Sequence, residues 1–421
     1  MAFRAVHTAD IHLDSPLRSL ALRNEELANL IGNATRRAFK SIIDLCIEEK
    51  VDALFIAGDL LDGEQTSMKT AKFIAEQSRR LNEAGILEFK IKGNHDALCK
   101  ITPQLECPPG TKVFTGRAEA VEINRPHHPP IAVHGLSYTH HHAPESLLPK
   151  YKQPLAGFVY IGMMHTSAGG AEGHDVYAPC SLRDLHESGF AYWALGHEHK
   201  RWVDTAGRAQ IVMPGMPQGR DIGESGPKGV TLLTIHDDGS ITHEERLTCV
   251  AQFERLPVDV EAVEDWSEVI DCIERALETA CSQTRAEHLV ARIELKGRTS
   301  LSWRIRRDHD LLVAEAEMRG RAIGSCWLDK LTISCRDVDA GDAKSDPVAE
   351  LSRIVETDVI SSPAFRAQFA QMAKDLKSQL PAECRDALGA DEAEAERLLE
   401  DLAREGSRDV LARLRSTDGA A

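Results

Sequence analysis

Residues 192–202, YWALGHEHKRW, hold the reading that decides the fold: an apolar run ends on a glycine, and His197 and His199 follow two residues apart. In extended chain, residues i and i+2 point the same way, so one short segment aims two imidazoles into a single cavity. That suits a metal. Histidine pairs also arise by accident, and the other strand ends must decide between the two readings.

Four other segments share this build. TADIHLD supplies Asp10 and His12, again two apart; AGDLLDG supplies Asp59 and Asp62; KGNHDA supplies Asn94, His95 and Asp96; GMMHTS supplies His165. Each sits at the end of an expected strand, and ligands of α/β sheets collect at the carboxyl ends of strands. The expected strands are FRAV, DALFIAG, ILEFKIKG, PIAVHG, FVYIGMMH, YWALGH, AQIVMPG and GVTLLTIH. Ala38, Phe39, Ile42, Ile43, Cys46 and Ile47 recur at helical spacing, and MKTAKFIAEQSRRLNEAG closes on a glycine suited to a C-cap. The first 250 residues therefore read as α/β.

After FERLPVDV the texture changes. Residues 251–338 read as a small α+β cap with one helix, 266–282, and strands HLVARIELKG and LDKLTISCRD. DVDAGDAKSDP gives a linker over 339–347, and 348–421 reads as helices only. In the tail, Phe365, Phe369, Met372 and Leu376 form one apolar stripe, and Leu398, Leu399 and Leu402 another. Such stripes are buried within their own chain or against a partner.

A chain of 421 residues implies two or three domains. With 42% hydrophobic and 28% charged residues and no apolar run that crosses a bilayer, no membrane partner is expected. The start MAFRAVHTAD lacks the features of a signal peptide, so a cytoplasmic location is expected. Ten cysteines without a C-x-x-C pair suit reduced thiols. A net charge of -16 argues against coating nucleic acid by bulk electrostatics, while leaving room for a local groove.

The candidate ligands Asp10, His12, Asp59, Asn94, His165, His197 and His199 contain no thiolate, a set suited to manganese, iron or zinc at a hydrolytic centre. Seven ligands exceed the needs of one ion. Two ions about 3.5 to 4 Å apart, sharing one carboxylate, would use them all and form a clamp for displacement at phosphorus. The sequence thus points to a binuclear phosphoesterase.

The ordered motifs D-x-H, G-D-x-x-D, G-N-H-D, H and G-H-x-H resemble the calcineurin-like metallophosphoesterase superfamily. The resemblance implies that Asp10, His12, Asp59 and His199 bind one metal and that Asp59, Asn94, His165 and His197 bind the other, with Asp59 bridging. HTADIHLDSPL, GLSY, YAPCSLRDL, YWALGHEHKR and PGMPQGRDIGESGPKGV further resemble the SbcD-like DNA repair nucleases, in the YhaO-type branch. For the catalytic core this implies a four-layer αββα sandwich, and for the protein a DNA exonuclease with two divalent ions, manganese first, a dimer, and an SbcC-like coiled-coil ATPase partner. His95 adjoins Asn94 and is expected to protonate the leaving oxygen or steady its charge. By analogy Asp62 orients His95; the alternative is a helix N-cap for a segment starting near Thr66.

Other residues have plainer readings. Asp96 is expected as a cap or bracing acceptor, and Asp14 as a turn former before Pro16. The HHPP run at His127 and the THHHAP run at His140 read as solvated loops, while His7 and His174 stay open. For DNA, Arg298, Arg304, Arg306 and Arg307 cluster around Trp303 in GRTSLSWRIRR, and Arg220 lies in the glycine-rich loop. These arginines could hold phosphates and Trp303 could stack on an unpaired base, or the cluster is a solvated strand face. Two rival functions remain: a small-molecule phosphodiesterase or phosphatase, and a non-catalytic docking subunit, against which the intact ligand set counts.

Overall fold

Apolar runs become strands in the computed structural model, which describes residues 2–15, 25–63, 67–99, 107–124, 129–140, 143–152, 154, 157–169, 177–338, 347–380 and 392–414. Pro16, Thr66, His127, His141, His142, His174 and linker residues 339–346 lie outside this range. In chain order come β1 (Phe3–Thr8), α1 (Glu25–Gly32), α2 (Ala34–Glu48), β2 (Ala53–Ala57), α3 (Met68–Glu83), β3 (Leu87–Ile91), β4 (Thr111–Val113) and β5 (Glu119–Ile123). Then follow β6 (Ile131–Gly135), β7 (Val159–His165), α4 (Leu182–Glu187), β8 (Tyr192–Gly196), β9 (Trp202–Asp204), β10 (Gln210–Met213), β11 (Gly229–Ile235) and β12 (Ile241–Leu247).

These strands make two six-stranded sheets, ordered β12-β11-β1-β2-β3-β4 and β5-β6-β7-β8-β10-β9. β1 to β4 run parallel, as do β6, β7, β8 and β10. Phe3, Phe55 and Phe89 of the first sheet meet Ile131, Ile161 and Tyr192 of the second in the core between them. On the outer face of the first sheet, Phe39, Ile42, Ile74 and Leu81 of α2 and α3 pack on Val6, Leu54 and Ile56. On the outer face of the second, Leu185 of α4 joins Tyr151 and Tyr177 over Met164, Trp193 and Ile211. This is the four-layer αββα sandwich. Its inner strands are covered on both faces, so all five residues of β2 are buried and the alternation of a half-exposed strand is absent.

The remaining elements are β13 (Ala251–Asp259), α5 (Trp266–Gln283), β14 (His288–Lys296), α6 (Ser302–Arg307), α7 (His309–Ile323), β15 (Cys326–Ile333), α8 (Pro347–Ile354), α9 (Pro363–Gln379) and α10 (Glu392–Leu414). β13, β14 and β15 form a three-stranded sheet in that order. The described residues of 1–255, 280–290 and 325–329 form one compact unit, and those of 256–279, 291–324 and 330–421 another. Cap and tail residues thus share a unit. Two expectations change here. The cap holds α6 and α7 besides α5, and the SWRIRR half of the GRTSLSWRIRR stretch, read as a strand face, winds into α6, where Ile305 is buried, while Arg298 pairs in a single bridge with Arg336. Arginine is a good helix former, and a single apolar anchor suffices for so short a helix.

In the tail the stripe of α9 divides. Phe365 and Phe369 stack at 5.7 Å and, with Leu399 and Ala403 of α10, line one hollow. Met372, Leu376 and Leu402 are exposed. The nine described cysteines are free, and six of them are buried.

Candidate metal centre

The loops that leave β1, β2 and β8 adopt a costly backbone. Asp10, His12, Asp59 and His197 all have left-handed φ, at 52°, 44°, 49° and 107°. Each such residue costs on the order of 1 to 3 kcal/mol and persists only where its surroundings fix it. Here the Asp10 amide donates to Gly58 O at 3.1 Å, the His12 amide to Asp59 O at 3.0 Å, and the His197 amide to Asp10 Oδ2 at 2.9 Å. Glycine is required beside them. A Cβ on Gly93 would lie 2.1 Å from Asp59 Oδ1, and one on Gly58 would lie 2.4 Å from His165 Nδ1.

Five strand ends are thereby brought to one place. Asp59 Oδ2 stands 3.2 Å from His165 Nε2 and 4.0 Å from His12 Nε2, while its Oδ1 accepts the His95 amide at 3.0 Å. His12 Nε2 and His199 Nε2 face each other at 3.2 Å, and Asn94 Oδ1 is 3.1 Å from His165 Nε2. Three sets have ligand atoms all within 4.8 Å of one another: Asp10, His12 and His199; Asp10, Asp59 and His165; His12, Asp62 and His95. His197 is in none of these sets; its ring packs edge-on against His165 and Tyr177, at 5.2 and 4.9 Å.

Asp10, His12, Asp59, Asn94 and His165 are buried. Burial of so many polar groups demands compensation. It pushes Asp10 up to about 6 and His12 down to about 3. Burial also opposes ionisation of Asp59, but His165, His12 and His95 outweigh it and hold this carboxyl below the usual range. His165 rises to about 9 against its own burial, because Asp59 and Asp10 favour its charge. The donor set fits divalent cations. Two imidazole nitrogens turned on each other beside a carboxylate repel unless a cation or proton lies between them, and His12 Nδ1 is buried without a hydrogen-bond partner among the described residues.

Hydrogen bonds behind these groups set their orientation. His165 Nδ1 donates to Ala57 O at 2.9 Å, which turns Nε2 toward Asp59. His199 Nδ1 meets Glu224 Oε1 at 2.8 Å. Asp62 Oδ1 lies 2.9 Å from His95 Nδ1, and Asp62 Oδ2 accepts from Ser15 Oγ at 2.8 Å. The bond to Asp62 raises the pKa of His95, and the same bond is the largest cause holding Asp62 low. Asp62 is thus engaged with His95, while Ser67 flanks the start of α3. Asp96 accepts from the amides of Leu60, Leu61 and Gly93, at 3.2, 2.9 and 3.1 Å, bracing the ligand loops. Asp14 does more than shape a turn: it accepts from Arg36 at 2.6 and 2.5 Å and from Thr70 at 2.6 Å, tying its loop to α2 and α3. His7 bridges the two sheets, between Tyr192 OH at 3.0 Å and Leu195 O at 2.9 Å. His140 is exposed. Ser15, Tyr177 and Glu224 lie in HTADIHLDSPL, YAPCSLRDL and PGMPQGRDIGESGPKGV, but nothing in those stretches marks which of their side chains turns toward a ligand.

The expected DNA-contact residues are differently placed. Arg307 donates to Asp308 at 2.7 and 2.6 Å and covers the Trp303 ring at 5.0 Å. Arg304 lies over Trp266 and 3.6 Å from Asp308, and Arg306 is 3.4 Å from Asp409. The Arg298 amide donates to Glu261 at 2.5 Å. Arg220 belongs to the metal-centre unit, with its guanidinium on Glu224.

Residues 3–201 match the calcineurin-like phosphoesterase family, and residues 253–336 match the middle domain of metallophosphoesterase YhaO. The chain is 33% identical over 270 residues to the uncharacterized metallophosphoesterase YhaO of Bacillus subtilis, covering 64% of this chain and 66% of that protein. It is 26% identical over 252 residues to the DNA double-strand break repair protein Mre11 of Sulfurisphaera tokodaii, covering 55% of this chain and 60% of that protein. The chain thus spans about two thirds or less of the length of these relatives. Among solved structures, a dimetal phosphatase from Danio rerio covers 58% of this chain and 96% of its own at a TM-score of 0.37 and 14% identity, a likeness too slight to carry argument.

Proposed function

We propose that this chain, which belongs to the calcineurin-like metallophosphoesterase superfamily in its YhaO-type branch, hydrolyses phosphodiester bonds in DNA as a repair exonuclease subunit. One observation supports the metal-dependent part of the reading: Asp59 Oδ2 lies 3.2 Å from His165 Nε2 and 4.0 Å from His12 Nε2, so its carboxylate could be shared by two ions. Asp10, His12, Asp59 and His199 would hold one ion, and Asp59, Asn94, His165 and His197 the second. Two divalent ions, manganese first among them, would supply Lewis acidity for an attacking water and for charge on the phosphoryl oxygens.

The chain itself supplies orientation and a proton. Asp62 engages His95 Nδ1 and favours the charged ring, leaving Nε2 to give a proton to the departing oxygen. The His95 side chain is 39% exposed, so a large substrate can reach it. Arg298, Arg304, Arg306 and Arg307 are proposed to meet the DNA backbone, an exchange in which phosphate replaces Asp308 and Asp409, and Trp303 is proposed to stack on an unpaired base. A coiled-coil ATPase and a second copy of the chain are the proposed partners, and the exposed Met372, Leu376 and Leu402 are apolar surface open to one. Among the described residues no helix is long and apolar enough to cross a membrane. The free cysteines support a cytoplasmic setting.

The test offers purified protein labelled duplex and single-stranded DNA and a panel of small phosphodiesters, with manganese and with chelator. Metal-dependent cleavage of DNA is expected. Turnover of small diesters with inert DNA would instead make the protein a small-molecule phosphodiesterase, and no turnover of either would favour a docking subunit.

A further inference from the structure

A run of hydrogen bonds joins the two halves of the centre. From His95 it passes to Asp62 at 2.9 Å and from Asp62 to Ser15 at 2.8 Å. Ser15 Oγ then accepts from Arg220 Nη1 at 3.3 Å, Arg220 Nη2 donates to Glu224 Oε1 at 2.7 Å, and Glu224 Oε1 meets His199 Nδ1 at 2.8 Å. The Ser15 hydroxyl is engaged in both directions. Its one hydrogen goes to Asp62, and a lone pair takes Arg220.

The loop before Glu224 is built to hold that carboxylate. The Arg220 amide donates to Glu224 Oε2 at 2.7 Å, Nε approaches both carboxylate oxygens at 3.3 Å, and Asp221 caps the short 3-10 turn Ile222–Glu224. A Cβ on Gly219 would come 2.8 Å from Glu224 O, so the turn closes tightly there. The side chains of Arg220 and Glu224 are 21% and 12% exposed. Nε, Nη1 and Nη2 of Arg220 thus each direct a hydrogen inside the chain. The planar fork that would grip a phosphate is occupied by Glu224.

We propose that Arg220 and Glu224 are positioning residues: Glu224 fixes the His199 ring with Nε2 toward the metals, and Arg220 clamps Glu224 and ties it through Ser15 to the Asp62–His95 pair. The proposal rests on the two-ion reading above, and it replaces the expectation that Arg220 contacts DNA. A group that orients a ligating histidine typically sets metal affinity by about 10- to 100-fold.

The experiment uses the full chain stripped with chelator. Mn2+ alone is titrated in by calorimetry for wild type, Glu224→Gln, Arg220→Gln, Arg220→Lys and Ser15→Ala, and the salt dependence of labelled duplex binding is measured in parallel. Wild type is expected to take two ions. Glu224→Gln and Arg220→Gln should weaken one of the two Mn2+ steps by about 10- to 100-fold with an unchanged salt slope. Arg220→Lys, which keeps the charge and loses the fork, should fall between. Ser15→Ala should hold Mn2+ like wild type yet lose kcat at unchanged KM. Unaltered Mn2+ binding in both glutamine variants overturns the proposal, and a flattened salt slope in Arg220→Gln would then make Arg220 a phosphate contact. Wild type that takes up no Mn2+ overturns the two-ion reading and this one together, whereas two ions bound with the same affinities in wild type and variants alike overturn the positioning role alone. Should Arg220→Gln fail to fold, Glu224→Gln and Ser15→Ala carry the same test.

Discussion

The loops at the edge of the two large sheets and the arginine face of α6 both gather charged residues, and the fold treats them in opposite ways. At the sheet edge Asp10, His12, Asp59 and His165 are sealed from solvent, and left-handed backbone holds three of them in place. On α6 the Arg304 and Arg307 side chains are 39% and 29% exposed, and both lean on Asp308. Exposed pairs of that kind contribute about 0 to 1 kcal/mol and need no ligand to be at rest. The His12 and half-buried His199 rings, turned on one another at 3.2 Å, need a cation or a proton between them. Strain and uncompensated burial, more than charge density, separate the site from the surface.

That contrast can be broken by substitution, and the sharpest break is at His95. His95→Ala should lower kcat by about 10^2- to 10^4-fold while the variant keeps its ions, because the ring is assigned to the leaving group. Loss of metal from this variant would move His95 into the ligand set. Next comes Gly93→Ala, whose new Cβ would press on Asp59 Oδ1. It should cost about 1 to 3 kcal/mol in chemical denaturation and loosen metal binding; a variant as stable as its parent would show the loop to be pliant.

A smaller effect is expected in acid. Burial drives His7 down to about 3 and His134 to about 4, against an ordinary value of 6.5. The unfolded chain therefore takes up protons that the folded chain refuses, so stability falls as pH drops below 6.5 toward those values, by up to about 1.4 kcal/mol per pH unit for the buried His7. His7→Leu should show a shallower acid slope than wild type in denaturant titrations between pH 7 and 5. Equal slopes would mean that His7 titrates normally. The smallest change in stability is expected on α6, where replacing the partly exposed Arg304 and Arg307 by Gln should cost no more than about 1 kcal/mol per pair. If they meet DNA, the same variant flattens the salt dependence of duplex binding by about 0.9 for each phosphate it no longer neutralises. A large loss of stability would make these arginines structural.

Sequence reading reached the interior of the sheets and stopped at their edges. The eight strands expected, β1, β2, β3, β6, β7, β8, β10 and β11, are the interior strands of the two sheets; β4, β5, β9 and β12 are the edges. Interior strands are apolar on both faces and end in glycine and ligand motifs. Edge strands pair on one side only and are short or polar, as in the ITHEERL of β12. The metal-centre residues were legible for a related reason, since D-x-H and G-H-x-H place two donors on one short segment. Glu224 and Ser15 were not, because their contacts join residues 25 and 47 positions apart, across loops with no periodic signal. The strand reading of α6 failed because an arginine-rich stretch with one buried isoleucine looks the same on a strand or a helix.

The central claim is that Asp59 bridges two ions, and counting ions tests it most directly. Elemental analysis of metal-loaded wild type should give two divalent ions per chain, and Asp59→Asn should weaken both sites at once. One tightly held ion per chain, unchanged by Asp59→Asn, would contradict it.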